Sequence, residues 1–285
     1  MVMTDGFSWQ ALLKLLPEKR PLIAGIVNAT PDSFSDGKGS VETAERVAFA
    51  LQLLNEGADL LDIGAESTRP GAVEVAPEEE WARLQPVLEK ILEKNPQAVI
   101  SRDTRHASTA EKSLRAGAKI INDVSGLVFD AAMKELVAKS RCGVIINHAT
   151  TTPELMQQSS YLIDDNAVET VKSDLHNLLL QAENSGIIRE KIMLDVGIGF
   201  GKSRNGNYEL LRHAAEFEKH FDLPFCWGVS RKSLLKSAND TLEKRIAGSL
   251  ALAVMLAKQN VALLRVHDVA QTVAALAAAR EFAGE

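Results

Sequence analysis

The sequence predicts an α/β protein closed into a single (β/α)8 barrel, a TIM barrel, and three observations carry the prediction. Short apolar runs recur about every 35 residues, eight of them are present, and a stretch of helical periodicity follows each one. The runs occupy 22–28, 59–64, 98–104, 118–124, 143–148, 191–197, 223–230 and 261–267. They are apolar almost throughout rather than alternating, as strands are when both faces are covered. Strand–helix alternation implies parallel βαβ units, and eight units suit closure. The competing architecture is an open, doubly wound sheet. It usually has fewer strands and a glycine-rich turn after the first, and the first turn here is of another kind.

Residues 1–20 read as a short amphipathic extension around Trp9, Leu12 and Leu13, expected to pack against the bottom of the barrel. Helices are then expected at 41–56, 77–93, 107–116, 130–139, 165–185, 208–220, 242–258 and 269–282. The second of these opens with Pro77 and three acidic residues, Glu78, Glu79 and Glu80. Proline fits the first helical position, and negative charge suits a helix N-terminus.

A barrel of this type runs to about 250 residues as one unit, so residues 1–285 are read as one domain, with no interdomain linker. The formal charge of −6 is mixed along the chain without a basic stripe, which argues against a nucleic-acid partner. Cys142 and Cys226 both lie in apolar runs and read as buried, reduced thiols. No apolar run reaches the ~18 residues of a membrane span. The N-terminus carries Asp5 and has no apolar core of a signal peptide. The expected compartment is the cytoplasm, with no membrane partner.

Functional side chains of such a barrel gather where strands end. Here those positions hold Asn28, Asp62, Glu66, Asp103, Asn122, Asp123, His148, Asp195, Lys232, Arg265 and His267. Any one could be a helix cap; eight strands ending this way point to a polar substrate with donors and acceptors. Three loops stand out. The stretch 28–40 has a Ser/Asp/Gly tip carrying Phe34 and Asp36 and reads as a lid. The stretch 66–72 sets Ser67, Thr68 and Arg69 before Pro70, a turn suited to oxyanions. The stretch 197–202 carries Gly197, Gly199 and Gly201 without the spacing of a phosphate-binding P-loop. Ser230-Arg231-Lys232-Ser233 follows the seventh strand, where barrels commonly keep a phosphate site. Alternation places Arg265 and His267 on one face of the eighth, completing an anion pocket. His148 and His267 are too isolated to form a zinc site.

Taken in order, Asn28 to Gly37, Asp62 to Gly71, Asp103-Thr104, Asn122 to Gly126, Asp195 to Lys202, Ser230 to Ser233 and Arg265 to Val269 resemble the motifs of the dihydropteroate synthases, a pterin-binding family of folate biosynthesis. The resemblance implies condensation of 6-hydroxymethyl-7,8-dihydropterin diphosphate with 4-aminobenzoate, releasing diphosphate. It implies Mg²⁺ as cofactor, a homodimer through the C-terminal helices, and a sulfonamide target. By position, Asp103, Asn122, Asp195 and Lys232 would bind the pterin, and Asp103, Asp195 and Lys232 would be catalytic. Asn28 would hold Mg²⁺ and, with Arg69, Arg265 and His267, the diphosphate. Thr68, Pro70, Phe200, Lys232 and Ser233 would frame the aminobenzoate, with Phe34 and Asp36 closing over it.

Departures from the family pattern are also legible. His148-Ala149-Thr150-Thr151 stands where His-Met-Gln-Gly is usual, Val196 replaces a proline, and Arg102 replaces an aliphatic residue before Asp103. They raise a second reading, a divergent paralogue or pterin-binding module without full synthase activity. A third, an unrelated phosphosugar barrel, leaves the first two loops unexplained. Since Asp103 must face the barrel mouth, Arg102 must face the helix layer. Its guanidinium is then expected to meet a carboxylate or a helix C-terminus. Arg102→Ile is expected to be neutral or mildly stabilising.

Overall fold

The computed structural model describes residues 6–16, 20–29, 39–66, 74–151, 155, 158–236 and 240–284. Eight parallel strands close into a barrel in sequence order, β1 pairing with both β2 and β8. They are β1 Leu22–Asn28, β2 Leu60–Gly64, β3 Ile100–Asp103, β4 Ile120–Asp123, β5 Gly143–Asn147, β6 Ile192–Asp195, β7 Phe225–Trp227 and β8 Leu263–Val266. All eight expected strands are present, several shorter than the apolar run that announced them, because the polar residues at their ends turn into loops.

The helices are α1 Trp9–Lys14, α2 Gly39–Asn55, α3 Pro77–Lys94, α4 Ala107–Arg115, α5 Met133–Ser140, α6 Ala167–Asn184, α7 Arg204–Arg212, α8 Ala214–Phe221, α9 Leu242–Ala257 and α10 Val269–Ala283. Two differ from expectation for tertiary reasons. The helix expected at 130–139 starts later, because Asp130 accepts from the Ala107 N–H at the start of α4 (2.8 Å). The helix expected at 208–220 is two. Ser203 caps the first from outside the predicted span, and the chain breaks at His213, where the next turn's Ala215 N–H turns to the Gln259 side chain.

Two apolar cores follow from strand alternation. Ile23, Leu61, Ile121, Val144, Leu194 and Leu264 join the helix layer. Leu22, Leu60, Ile120, Ile145, Met193, Cys226 and Leu263 fill the lower barrel interior together with Phe7, Trp9 and Leu12. The N-terminal extension is therefore the bottom plug. Trp9 is 1% exposed and donates from Nε1 to the Lys191 carbonyl just before β6. Gly143 makes room for it: a Cβ there would lie 2.5 Å from the Phe7 ring.

Arg102 faces the helix layer, as alternation requires. It is 1% exposed, pairs with Glu80 of α3 and donates to the Ile63 carbonyl at 2.6 Å. Glu80 also accepts from the Thr104 hydroxyl at 3.0 Å. The third glutamate of the α3 N-terminus is thus a buried counter-ion, and the expected carboxylate partner of Arg102 is found.

Candidate active site

The inward positions above the lower core turn polar. Asp62, Asp103, Asn122 and Asp195 are all buried, and Arg265 lies among them. The Arg265 guanidinium bridges two strands, pairing through Nε with Asp62 and through Nη2 with Asp103 at 2.9 Å. Asp62 also accepts from the Asn122 carboxamide at 3.2 Å. The interior slot is therefore an ordered network held in register by β2, β3 and β4 and, through β1, by β8.

Its electrostatics follow from burial against pairing. Burial raises the Asp103 carboxyl to about 7, against the opposing pull of Arg265. Asp195 is raised for the same first reason, although the Gly197 N–H donates to it at 2.7 Å. Burial, then the charge of Arg265, lowers Lys232 to about 8, while Asp195 and Asp103 oppose the change. The Lys232 ammonium lies 4.6 Å from the centre of the Phe200 ring, a cation–π contact joining the loops after β6 and β7. Ser233 follows at the exposed start of a single 3-10 turn, Ser233–Leu235.

From the rim outward between α2 and α10, a cleft of about 370 Å³ is lined by Asn28, Arg231, His267 and Asp268 at its strand-end side and by Phe49, Glu56 and Gln271 on the helix side. Arg231 adopts a left-handed backbone conformation (φ 56°), held by its bidentate pairing to Asp268 and by its N–H to Ser249 Oγ at 2.8 Å. His267 is pushed down to about 3 by burial and by the nearby charges of Arg265 and Arg231. The Ser230 hydroxyl accepts from the His267 backbone N–H (3.1 Å) and lies 3.0 Å from Nδ1. With the hydroxyl donating to Nδ1, the neutral ring keeps its proton on Nε2, able to donate to an anion.

The structure thus brings Asp103, Asn122, Asp195, Lys232, Phe200 and Arg265 to one slot, with Asn28 and His267 on a shared rim cleft. Thr68, Arg69, Pro70, Phe34 and Asp36 lie outside the described residues. Both ends of the second loop are held: Glu66 pairs with Arg105 and accepts from the Val75 N–H at 3.1 Å. Asp62, a strand-end residue with no role expected of it, is the added member of the slot network. Its inward parity with Leu60 was the available signal. Ala149 lines an outer cavity of about 520 Å³ beside Asp174 and Tyr161.

No group of three or more His, Cys, Asp or Glu side chains that could hold a metal ion is present among the described residues. The residue the resemblance assigns to the metal, Asn28, offers one exposed carboxamide at the end of β1, on the same cleft as His267. That suits Mg²⁺, which keeps several waters and takes most remaining oxygens from substrate phosphates.

The profile of the family described as "Pterin binding enzyme" matches residues 24–267. The dihydropteroate synthase of Escherichia coli (strain K12) is 40% identical over 257 residues, covering 90% of this chain and 89% of the relative. A crystal structure of Xanthomonas albilineans dihydropteroate synthase with 4-aminobenzoic acid superposes with TM-score 0.83 at 38% identity, covering 93% of this chain and 94% of that one. The Anaplasma phagocytophilum enzyme with bound 6-hydroxymethylpterin-monophosphate gives TM-score 0.84 at 36% identity, covering 92% and 99%. A matching profile over most of the barrel, 40% identity and the shared (β/α)8 architecture together place the chain in the pterin-binding enzyme family, among the dihydropteroate synthases.

Proposed function

We propose that this protein is a dihydropteroate synthase in activity as well as in family, joining 6-hydroxymethyl-7,8-dihydropterin diphosphate to 4-aminobenzoate with release of diphosphate. The observation that carries the reading is the convergence of Asp103, Asn122, Asp195, Lys232 and Arg265 in one buried slot, with Phe200 over Lys232 at its mouth. A dihydropterin presents amide-like donors and acceptors that carboxylates, a carboxamide and an ammonium can pair. Departure of diphosphate leaves a positive methylene beside the ring. Asp195, and Asp103 in its ionised form, offset that charge from buried positions, where electrostatics act strongly. Asn28, His267 and Arg265, with Arg69 of the second loop, would receive the leaving diphosphate.

Mg²⁺, held by Asn28 together with diphosphate oxygens, would neutralise charge on the leaving group. The arylamine is neutral near pH 7 and attacks the methylene. Its nitrogen sheds one proton once the C–N bond exists, so no strong general base and no covalent enzyme intermediate are required. Thr68, Pro70, Phe200 and Ser233 would frame the acceptor, with Phe34 and Asp36 closing over it. Sulfonamides, as arylamine mimics, would compete there.

We further propose a cytoplasmic homodimer. No described helix is long and apolar enough to cross a membrane, and Cys142 and Cys226 are buried free thiols. The C-terminal helices leave Leu242, Met255 and Phe282 exposed, Phe282 at 89%, as a face for a second copy. A pterin-binding module without synthase activity would need neither the Ser230–Ser233 loop nor the Phe200–Lys232 contact. A coupled assay of diphosphate release, with each substrate omitted in turn, decides between them. Release that requires both substrates is expected; a protein that binds the pterin but never releases diphosphate refutes the synthase reading.

A further inference from the structure

The loop between β6 and α7 carries Phe200 yet is built on three glycines in left-handed conformations, Gly197, Gly199 and Gly201 (φ 68°, 85° and 68°). Such a segment has little stiffness of its own, so the position of the Phe200 ring depends on what fastens the loop. One fastening is a buried lysine that the roles above leave unused. Lys202 is 4% exposed, and its ammonium reaches three acceptors: the Phe200 carbonyl at 2.8 Å, His148 Nδ1 at 2.9 Å and the His148 carbonyl at 3.4 Å. His148 lies on the outward side of the β5 end and is 2% exposed. Its Nε2 is 3.0 Å from the carboxylate of Asp174, which α6 supplies half-exposed to solvent.

Burial lowers the Lys202 amine to about 7, against the pull of Asp195, and it is the ammonium form that fixes the protonation pattern. An ammonium has donors only, so Nδ1 must accept from Lys202, and Nε2–H then donates to Asp174. Burial and the Lys202 charge push His148 down to about 4, which keeps the ring neutral for that arrangement. The loop also lies hard against the β5 end. A Cβ on Gly197 would sit 1.8 Å from the His148 carbonyl oxygen, and one on Gly201 would sit 1.7 Å from Thr150 Oγ1. Asp174, His148 and Lys202 thus form a strut from solvent through the helix layer to the backbone of the residue whose ring covers Lys232.

We propose that Lys202, oriented by His148 and Asp174, is a positioning residue for the acceptor side of the reaction: it holds the Phe200 carbonyl, and through it the ring, where the arylamine must bind. This rests on the synthase reading and on the place it gives Phe200 beside 4-aminobenzoate. The pterin side has its own network through Asp62, Arg265 and Asn122, to which the strut makes no hydrogen bond, although the Lys202 charge also acts on Asp195 and Lys232. A fault in the strut should therefore fall mainly on the acceptor, whose ring contact it holds directly.

The test uses the full-length enzyme with steady-state kinetics in both substrates, and calorimetric binding of the pterin diphosphate. Lys202→Met keeps the apolar stem as far as Cε and removes the ammonium. The KM for 4-aminobenzoate is expected to rise at least tenfold while pterin diphosphate affinity stays within about twofold. Phe200→Ala should raise the same KM, and adding Lys202→Met to it should cost little more, because the strut acts through a ring no longer present. Asp174 is half-exposed and can be changed without threatening the core. Asp174→Leu should raise the acceptor KM in the same direction by a smaller factor, whereas Asp174→Asn, which still accepts from Nε2–H, should restore it. If Lys202→Met does not fold, the Asp174 pair decides. An unchanged acceptor KM in Lys202→Met or Asp174→Leu overturns the proposal, as does an equal loss of pterin affinity or full additivity with Phe200→Ala. Absence of diphosphate release in the unmodified enzyme would instead strike the synthase reading itself.

Discussion

Replacing Arg102 with isoleucine would restore the aliphatic residue usual before Asp103, yet the structure expects it to weaken the protein. Glu80 is 0% exposed, and its partners among the described residues are the Arg102 guanidinium and the Thr104 hydroxyl. Removing the cation leaves a carboxylate buried with one neutral donor, a change that costs about 3–5 kcal/mol. At roughly 2–4 °C per kcal/mol for a chain of this size, the thermal midpoint should fall on the order of 10 °C. The pair itself is no bargain, since Arg102 Nε is buried without an acceptor. The double variant Arg102→Ile/Glu80→Leu should therefore return to within about 1 kcal/mol of the original or exceed it, as replacement of whole buried pairs often does. Urea denaturation of the two single variants and the double variant measures this coupling directly. Pterin affinity should change less than about threefold, because Arg102 faces the helix layer and Asp103 the slot. A single variant as stable as the parent, or a double variant as weak as the two losses summed, would refute the reasoning. The neutral outcome expected from sequence assumed that nothing buried depended on the cation; Glu80 does.

Lys232→Ala should lower kcat/KM by about 10- to 150-fold, the equivalent of one charged hydrogen bond of roughly 1.5–3 kcal/mol; an unchanged value removes Lys232 from the site. Because Lys232 is held down to about 8, activity that needs its cation should fall as pH rises through that value, and Lys232→Ala should lose this alkaline limb. For Asp103, the folded value of about 7 lies above the usual 3.8, so between them the folded state holds a proton that the unfolded chain has lost. Stability therefore falls as pH rises through that window. Asp103→Asn should grow more stable relative to the parent from pH 4 to 7, level off above, and lose activity; thermal midpoints that stay parallel across this range would contradict it. Trp9→Ala should cost about 3–5 kcal/mol by emptying the bottom plug, with kinetics at 20 °C little changed; a loss below 1 kcal/mol would show that the extension is dispensable.

Strand parity was legible in the chain. A period-2 strand sends every other residue inward, so Asp103, Asn122, Asp195 and Arg265 had to share the interior once eight strands closed, and Arg102 had to face away. The ordered motifs supplied the family and with it the roles of these residues. Partnership across the barrel was not legible, because it depends on register between segments distant in sequence. Nothing in the local sequence of Asp62 says that it will hold Arg265, 203 positions further on. Nothing near Glu80 marks it as the counter-ion of Arg102 rather than one more acidic residue at a helix start, where the helix dipole alone explains it. The same holds for Lys202, which reads as a polar loop terminus until β5 and α6 bring His148 and Asp174 beside it. Sequence determined which face each side chain takes, since backbone geometry sets that locally. Only the tertiary structure decided which buried charges meet, since burial penalises each charge by its surroundings and pairing depends on distances that closure of the barrel alone sets.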